Sequence, residues 1–223
     1  MLFSLSFAQA QDCKYLEGSV GPATSENLVR TSWQNVTSRF ASMDPTSARG
    51  SVQGISDGGA KYLGVRLQTA DFYPLPREFN INPEDTNIIT KKGIYDPRVT
   101  EFMHRVNVDA LVVPIGSTLR ITMEDRTTIV LRSTTNVAVR GDSTRPGNSN
   151  NSTPHVRTSA TADLRYALDA EAIDALTNFA AINMRVETRD KYYSFESRMS
   201  PKPNAQWNKK SNFTIQRALK CVL

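Results

Sequence analysis

The sequence is poor in the residues that most often mark a chemical site, because its 223 residues include only two cysteines, two histidines and two tryptophans. The cysteines and histidines do not lie at the spacing of zinc ligands, so we expect no metal site and no cofactor. No run of 18 apolar residues occurs, so we expect no transmembrane segment. Glycine and proline, 11 of each, are too few for a collagen-like or low-complexity chain. A composition with 39% hydrophobic and 22% charged residues predicts a folded domain with a real core.

The excess of positive charge is small and scattered. Lysine and arginine number 27 against 22 aspartate and glutamate, which gives a formal net charge of +5. Long basic runs and the aromatic platforms of nucleic-acid-binding proteins are missing, so we expect no nucleic-acid partner. A binder of anionic lipid or polymer is a weaker hypothesis, because it requires the fold to gather these cations on one face.

The two cysteines, Cys13 and Cys221, lie near opposite ends of the sequence. An exported protein can join its ends with one such bridge, whereas cytosolic proteins seldom carry disulfides. Closing a loop of roughly 200 residues would stabilise the fold by on the order of 5 kcal/mol in the chain-entropy model. We therefore predict a Cys13–Cys221 disulfide; the alternative is two unrelated thiols, one of them in a frayed tail.

The first ten residues predict export. Leu2, Phe3, Leu5 and Phe7 are apolar, and Ala8-Gln9-Ala10 matches the small-x-small pattern of a signal-peptidase site. A positively charged start and a full-length apolar region are missing. We interpret residues 1–10 as a truncated signal peptide and residues 11–223 as a single globular domain in the periplasm, the cell envelope or the extracellular space.

The hydrophobic pattern predicts an α+β fold with a mainly antiparallel sheet built of hairpins, for which a sandwich is one arrangement. We expect about three helices, one at the C-terminus, with Asp96-Pro97 and Asp169 starting the first two. The predicted strands lie at about 28–36, 61–69, 110–115, 118–123, 128–132, 163–168, 182–188 and 192–199. Segment 28–36 also fits the stripe of an amphipathic helix, and 110–115 is predicted from a continuous apolar run. Residues 44–59 are predicted to be a loop because they contain Pro45, Gly50, Gly54 and the Asp57-Gly58-Gly59 turn signal. A long polar loop is expected at about 140–160, where apolar residues nearly vanish.

None of the candidate catalytic residues forms a recognisable constellation. His104 and His155 have no nucleophile elbow nearby in sequence, so we interpret both as surface residues. Glu124-Asp125 is better explained as turn chemistry than as a catalytic pair, since adjacent carboxylates usually diverge. Trp207 lies among proline, asparagine and lysine, and it is the aromatic residue we select as a candidate ligand contact.

The C-terminal half, about residues 110–223, resembles a widespread type of small exported bacterial protein of unassigned function. The residues that carry the resemblance are the hairpin 117–131, Tyr166-Ala167-Leu168 leading into Ile173 and Leu176, the segment 184–188, and Ala218-Leu219-Lys220-Cys221. Asp125-Arg126 replaces the usual Asp-Gly turn. The resemblance implies export and a β-rich fold, and it carries over no catalytic residue.

We therefore expect an exported, non-enzymatic binding or structural module, with an envelope glycan or protein as its partner. The alternative is an envelope hydrolase that acts on glycan or peptide with carboxylates from separate loops. Two convergent acids with shifted pKa values in one cleft would favour the enzyme.

Overall fold

A computed structural model describes residues 13–16, 28–36, 48–75, 97–147, 155–196 and 214–223. Within these ranges the protein is mainly antiparallel β-sheet with three helices, the last at the C-terminus, which confirms the predicted α+β class. The predicted signal segment, residues 1–10, and Trp207 lie outside the described residues.

The larger sheet has six strands. They are β1 (Val29–Arg30), β2 (Gln34–Asn35), β3 (Arg49–Asp57), β4 (Ala60–Pro74), β9 (Asp142–Gly147) and β10 (His155–Ala167). The order is β1-β3-β4-β10-β9, and β2 also pairs with β3. The central pair β4 and β10 is antiparallel from His155 opposite Pro74 to Ala167 opposite Tyr62.

The smaller sheet contains the predicted hairpin. Strands β6 (Thr118–Met123), β7 (Thr128–Arg132), β11 (Ala181–Glu187) and β12 (Tyr192–Glu196) follow the order β12-β11-β6-β7. A separate antiparallel pair joins β5 (Leu111–Val113) to β8 (Val137–Val139).

Two loop predictions are wrong. Residues 49–57 of the predicted loop 44–59 form β3, and only Gly58 and Gly59 make the turn. Glycine suits this strand because a Cβ at Gly54 would lie 2.2 Å from the carbonyl oxygen of Ala218 in the C-terminal helix. Glycine here therefore reflects close packing and not a chain break.

The predicted polar loop 140–160 is also wrong in large part, since β9 and the first half of β10 lie in it. Residues 148–154 are outside the described ranges. Strand β10 buries every second residue, but its first buried positions include Thr158 and Ala160. Small and hydroxyl-bearing side chains at inward positions leave little hydrophobic signal, which is why the alternation escaped detection.

The helices are α1 (Pro97–Asn107), α2 (Ala170–Asn178) and α3 (Thr214–Lys220). The predicted cap of α2 is confirmed, because the Oδ1 atom of Asp169 accepts a hydrogen bond of 2.8 Å from the backbone nitrogen of Ala172. None of these three helices is long and apolar enough to cross a membrane.

Both sheets, together with α2 and α3, contribute to one buried apolar cluster. Its largest fully buried members include Leu63, Leu67, Leu119, Ile121, Leu164, Tyr166, Leu176 and Leu219. Helix α1 belongs to a smaller cluster, where Phe102 packs with Leu75 and Val156.

The predicted disulfide is confirmed, since Cys13 and Cys221 are bonded with their Cα atoms 5.7 Å apart. Each cysteine also belongs to a segment that contacts the rest of the fold. The segment 13–16 pairs with the edge of the larger sheet through the hydrogen bonds Leu16 N to Arg30 O (3.0 Å) and Ser32 N to Lys14 O (2.7 Å). The disulfide therefore joins a strand-like segment to the docked helix α3.

Candidate functional site

The residues selected from the sequence do not come together in one site. His104 is exposed on α1, where its Nδ1 atom lies 2.9 Å from the guanidinium of Arg140. His155 begins β10 and its ring centre is 5.0 Å from that of Phe72. Each histidine thus contacts a neighbouring side chain, and the two lie on different elements.

The turn carboxylates have structural roles. The Oδ1 atom of Asp125 accepts hydrogen bonds from the backbone nitrogen (2.9 Å) and the hydroxyl (2.6 Å) of Thr127, which confirms the turn interpretation. These bonds lower the pKa of Asp125. The Asp57-Gly58-Gly59 signal is likewise a tight turn, with positive φ at both glycines.

On the outer face of the larger sheet, two arginines, Arg66 and Arg165, are neutralised by carboxylates. Arg66 lies over the ring of Trp33 at 4.4 Å and makes two hydrogen bonds of 2.7 Å with Asp163. Arg165 donates to Asp57, also at 2.7 Å. These two arginines are therefore already paired and are not available to an anionic ligand.

The outer face of the smaller sheet differs, because it carries an open groove of about 530 Å³ that we call the arginine groove. It is lined by Thr118, Arg120, Arg185, Glu187, Tyr192 and the turn 188–191. Cavities of this size are typical of small-molecule sites.

Strand alternation places these side chains. Leu119 and Ile121 of β6 and Val186 of β11 are fully buried, so the residues between them point outward. The outward positions are Thr118 and Arg120 on β6 and Arg185 and Glu187 on β11. The same pattern that builds the core therefore assembles the groove.

Arg120 and Arg185 lie directly opposite each other in the β6–β11 pair. Both are exposed, and neither forms an ion pair within 4.0 Å with a carboxylate of the described ranges. Like charges at directly opposite positions destabilise a sheet. The pair is thus an electrostatic cost to the fold that an anionic ligand would relieve.

Tyr192 holds one of the two arginines in place. The guanidinium carbon of Arg185 lies 3.3 Å from the centre of the Tyr192 ring, in a cation–π contact. Tyr192 itself is 55% exposed, so the ring still offers apolar surface to the groove.

Glu187 is a groove carboxylate on which the charges of both arginines act. Its Oε2 atom accepts hydrogen bonds from the hydroxyl (2.6 Å) and backbone nitrogen (3.2 Å) of Thr118. These bonds, and then the positive charges of Arg120 and Arg185, lower the pKa of Glu187. Its Oε1 atom has no hydrogen bond to any residue that the structure describes, so one acceptor remains for a ligand.

The turn between β11 and β12 is fixed at the end of the groove. The hydroxyl of Thr188 donates to the carbonyl oxygen of Lys191 (2.6 Å), and the backbone nitrogen of Arg189 donates to the carbonyl oxygen of Val112 (2.9 Å). The Arg189 side chain binds Asp190 at 3.0 Å, which lowers the pKa of Asp190. A turn held at several points presents a rigid wall.

The groove was not predicted, because only the buried residues of β6 and β11 were used to predict these strands and their outward residues were not considered. Thr118-Leu119-Arg120-Ile121 and Met184-Arg185-Val186-Glu187 each carry charge on the outward positions, which was the available signal. Neither pattern states that the two strands are neighbours. Within the described ranges, no group of three or more His, Cys, Asp or Glu side chains is placed to hold a metal ion.

Comparison with known proteins finds no matching family model, no matching curated protein and no matching solved structure. The resemblance drawn from residues 110–223 therefore stays a prediction, and the candidate site depends on its geometry.

Proposed function

We propose that the protein is an exported, non-enzymatic binding module and that the arginine groove is its binding site. The observation that carries the proposal is the Arg120–Arg185 pair, two adjacent cations without an ion-pair partner among the described carboxylates. Arg66 and Arg165 on the other sheet each have such a partner. A groove that brings unpaired cations together raises the local concentration of anionic ligands.

Export is supported by the Cys13–Cys221 disulfide. Structural disulfides form and persist in oxidising compartments and are rare in the cytosol. The apolar start and the Ala8-Gln9-Ala10 pattern of the sequence point the same way. We propose the periplasm, the cell envelope or the extracellular space as the place where the module works.

The groove favours binding over hydrolysis. Glu187 and Asp190 both line it, so two carboxylates share one groove. Their pKa values are lowered, by hydrogen bonds from Thr118 and Arg189 respectively, so both are ionised at neutral pH. A hydrolase with paired carboxylates needs one of them as a proton donor, which requires a raised pKa.

Amide chemical-shift mapping tests the proposed site. The full-length, disulfide-bonded protein would be titrated with neutral, acidic and basic soluble oligosaccharides and short peptides. We expect at least one probe to shift the amides of β6, β11 and the turn 188–191, with little change on β3 and β4. Shifts confined to other strands, or none with any probe, would overturn the groove as the binding site.

Cell fractionation tests export. In the native host the protein should lie outside the cytoplasm, and non-reducing digestion should release the peptides with Cys13 and Cys221 as one linked species. A cytoplasmic protein with both thiols free would contradict the proposal.

A further inference from the structure

We infer that the arginine groove binds a glycan that carries carboxylate groups. This inference rests on the proposed binding function and names the class of ligand.

The two available cations match a carboxylate. Arg189 and Lys191 also line the groove, but they are paired with Asp190 and Asp71. Arg120 and Arg185 remain as the groups that can take an anion. Guanidinium groups bind planar carboxylates with two parallel hydrogen bonds, and these charge-assisted bonds are the strongest of the common types.

One of these arginines is already oriented for binding. The guanidinium of Arg185 stacks on Tyr192 at 3.3 Å, which restricts its rotamers. Restricting a side chain before binding lowers the entropy that the complex must lose. Tyr192 also contributes an exposed aromatic surface beside the anion site, where the apolar face of a sugar ring can pack.

One acidic residue in the same groove, Glu187, discriminates among anions. The carboxylate of Glu187, which has no ion-pair partner within 4.0 Å in the described ranges, would repel a phosphate or a densely charged acidic peptide. A sugar acid has hydroxyl donors beside its carboxylate, and the free Oε1 atom of Glu187 can accept from such a hydroxyl. Cations beside a free acceptor therefore fit an acidic glycan better than an anion that lacks hydroxyl donors.

The volume of the groove supports a ligand larger than a single anion. At about 530 Å³ it can hold more than one sugar ring, whereas inorganic phosphate would leave most of it to water.

Calorimetric titration with trigalacturonate, a carboxylated trisaccharide, tests this inference. Its methyl ester has the same sugars without the charge, triglutamate has the charge without the sugars, and inorganic phosphate is the bare anion. We expect measurable binding of trigalacturonate only, with an affinity that falls as salt rises, because the groove is open to solvent.

Variants locate the binding. The double variant R120Q/R185Q should weaken trigalacturonate binding by about 10- to 100-fold or more, since each arginine contributes charged hydrogen bonds. The matched control R49Q/R105Q removes two exposed arginines from outside the groove, for the same change in net charge, and should bind as the wild type does. Y192L should weaken binding while Y192F, which keeps the ring, should not.

Each other result overturns the inference in a recognisable way. Equal binding of the methyl ester would show that carboxylates are not recognised, and binding of triglutamate or phosphate instead would show a general anion site. An equal loss in R49Q/R105Q would show attraction by net charge alone. Absence of trigalacturonate binding overturns the inference but leaves the binding function intact if another probe still shifts the groove amides.

Discussion

At the scale of single residues, the partner of an arginine decides what its charge does. Arg66 and Arg165 lie on an exposed face too, but Asp163 and Asp57 neutralise them. Exposed pairs of this kind contribute little to stability, about 0–1 kcal/mol. Arg120 and Arg185 occupy equivalent outward positions without such partners in the described ranges. The difference lies in the pairing of strands and not in the residue type.

The hydrogen bonds from Thr118 should control the titration of Glu187. In the wild type these bonds lower the folded-state pKa, so they stabilise the fold above the ordinary glutamate pKa, and this contribution is lost as pH falls through the folded pKa. We expect T118V to raise the pKa of Glu187 towards its ordinary value. Carboxyl carbon chemical shifts measured against pH check this.

T122V is the matched control, because Thr122 is another β6 residue on the same face and makes no hydrogen bond to Glu187. An unchanged Glu187 pKa in T118V, or equal changes in both variants, would contradict the assigned cause.

Gly54 should tolerate no side chain. A Cβ there would lie 2.2 Å from the carbonyl oxygen of Ala218 and 2.8 Å from the Cγ2 atom of Val222. Backbone cannot yield as a flexible side chain does, so we expect G54A to destabilise the protein by about 1–3 kcal/mol or more. Denaturant unfolding measures the difference.

The control is G58N, at a glycine with φ +56° and nothing within 4 Å of an added Cβ. Asn-Gly is a preferred sequence for the two-residue turn with two positive φ angles, so G58N should keep the wild-type stability. Similar losses in both variants would refute the packing argument.

At the scale of elements, those that depend on neighbouring residues were predicted well. Those that depend on contacts between distant parts of the sequence were not. The 118–132 hairpin and the Asp169 cap are encoded within a few residues, and both are confirmed. Strand β3 was missed because its Gly54 is explained only by helix α3, more than 150 residues later in the sequence. The tertiary contact, which local propensity does not contain, decides such a segment.

The candidate site was unpredictable for the same reason. Arg120 and Arg185 meet only because β11 pairs with β6 in one register. A slip of one residue would turn one of the arginines to the buried side. The outward charges could be read from the sequence, but their juxtaposition could not.

Asp71 links the two sheets and should matter for stability. This largely buried carboxylate of β4 accepts a hydrogen bond from Lys191, which directly precedes β12. It accepts another, of 3.0 Å, from the hydroxyl of Tyr193 on β12. Asparagine keeps one acceptor oxygen and loses the charge, so D71N should lower the free energy of unfolding by about 1–2 kcal/mol. Denaturant unfolding is the measurement.

D163N is the comparison, since it removes the charge from an ion pair that is mostly exposed. We expect that change to cost about 0–1 kcal/mol. A larger loss in D163N than in D71N would refute the assignment of Asp71 as a link between the sheets.

At the scale of the whole molecule, the ends of the sequence close the structure. Helix α3 packs its buried residues Ile215, Ala218 and Leu219 into the shared core, and Lys61 donates to the carbonyl oxygen of Val222. The segment 13–16 is hydrogen-bonded to the edge of the larger sheet. The disulfide therefore connects two parts that are already docked, so its removal should lower stability without abolishing the sheets.

We expect C13S/C221S to be less stable than the oxidised wild type by an amount that approaches, but does not exceed, the chain-entropy figure on the order of 5 kcal/mol. Denaturant unfolding with and without a reductant measures it. The reductant should destabilise the wild type to the level of the variant and leave the variant unchanged, because only the disulfide responds to it.

Since the arginine groove lies on the smaller sheet, the variant should still bind its ligand with wild-type affinity under conditions where it is folded. Loss of binding in a folded variant would mean that the disulfide shapes the groove, and a reductant effect on the variant would mean that the measured stability does not report on the disulfide.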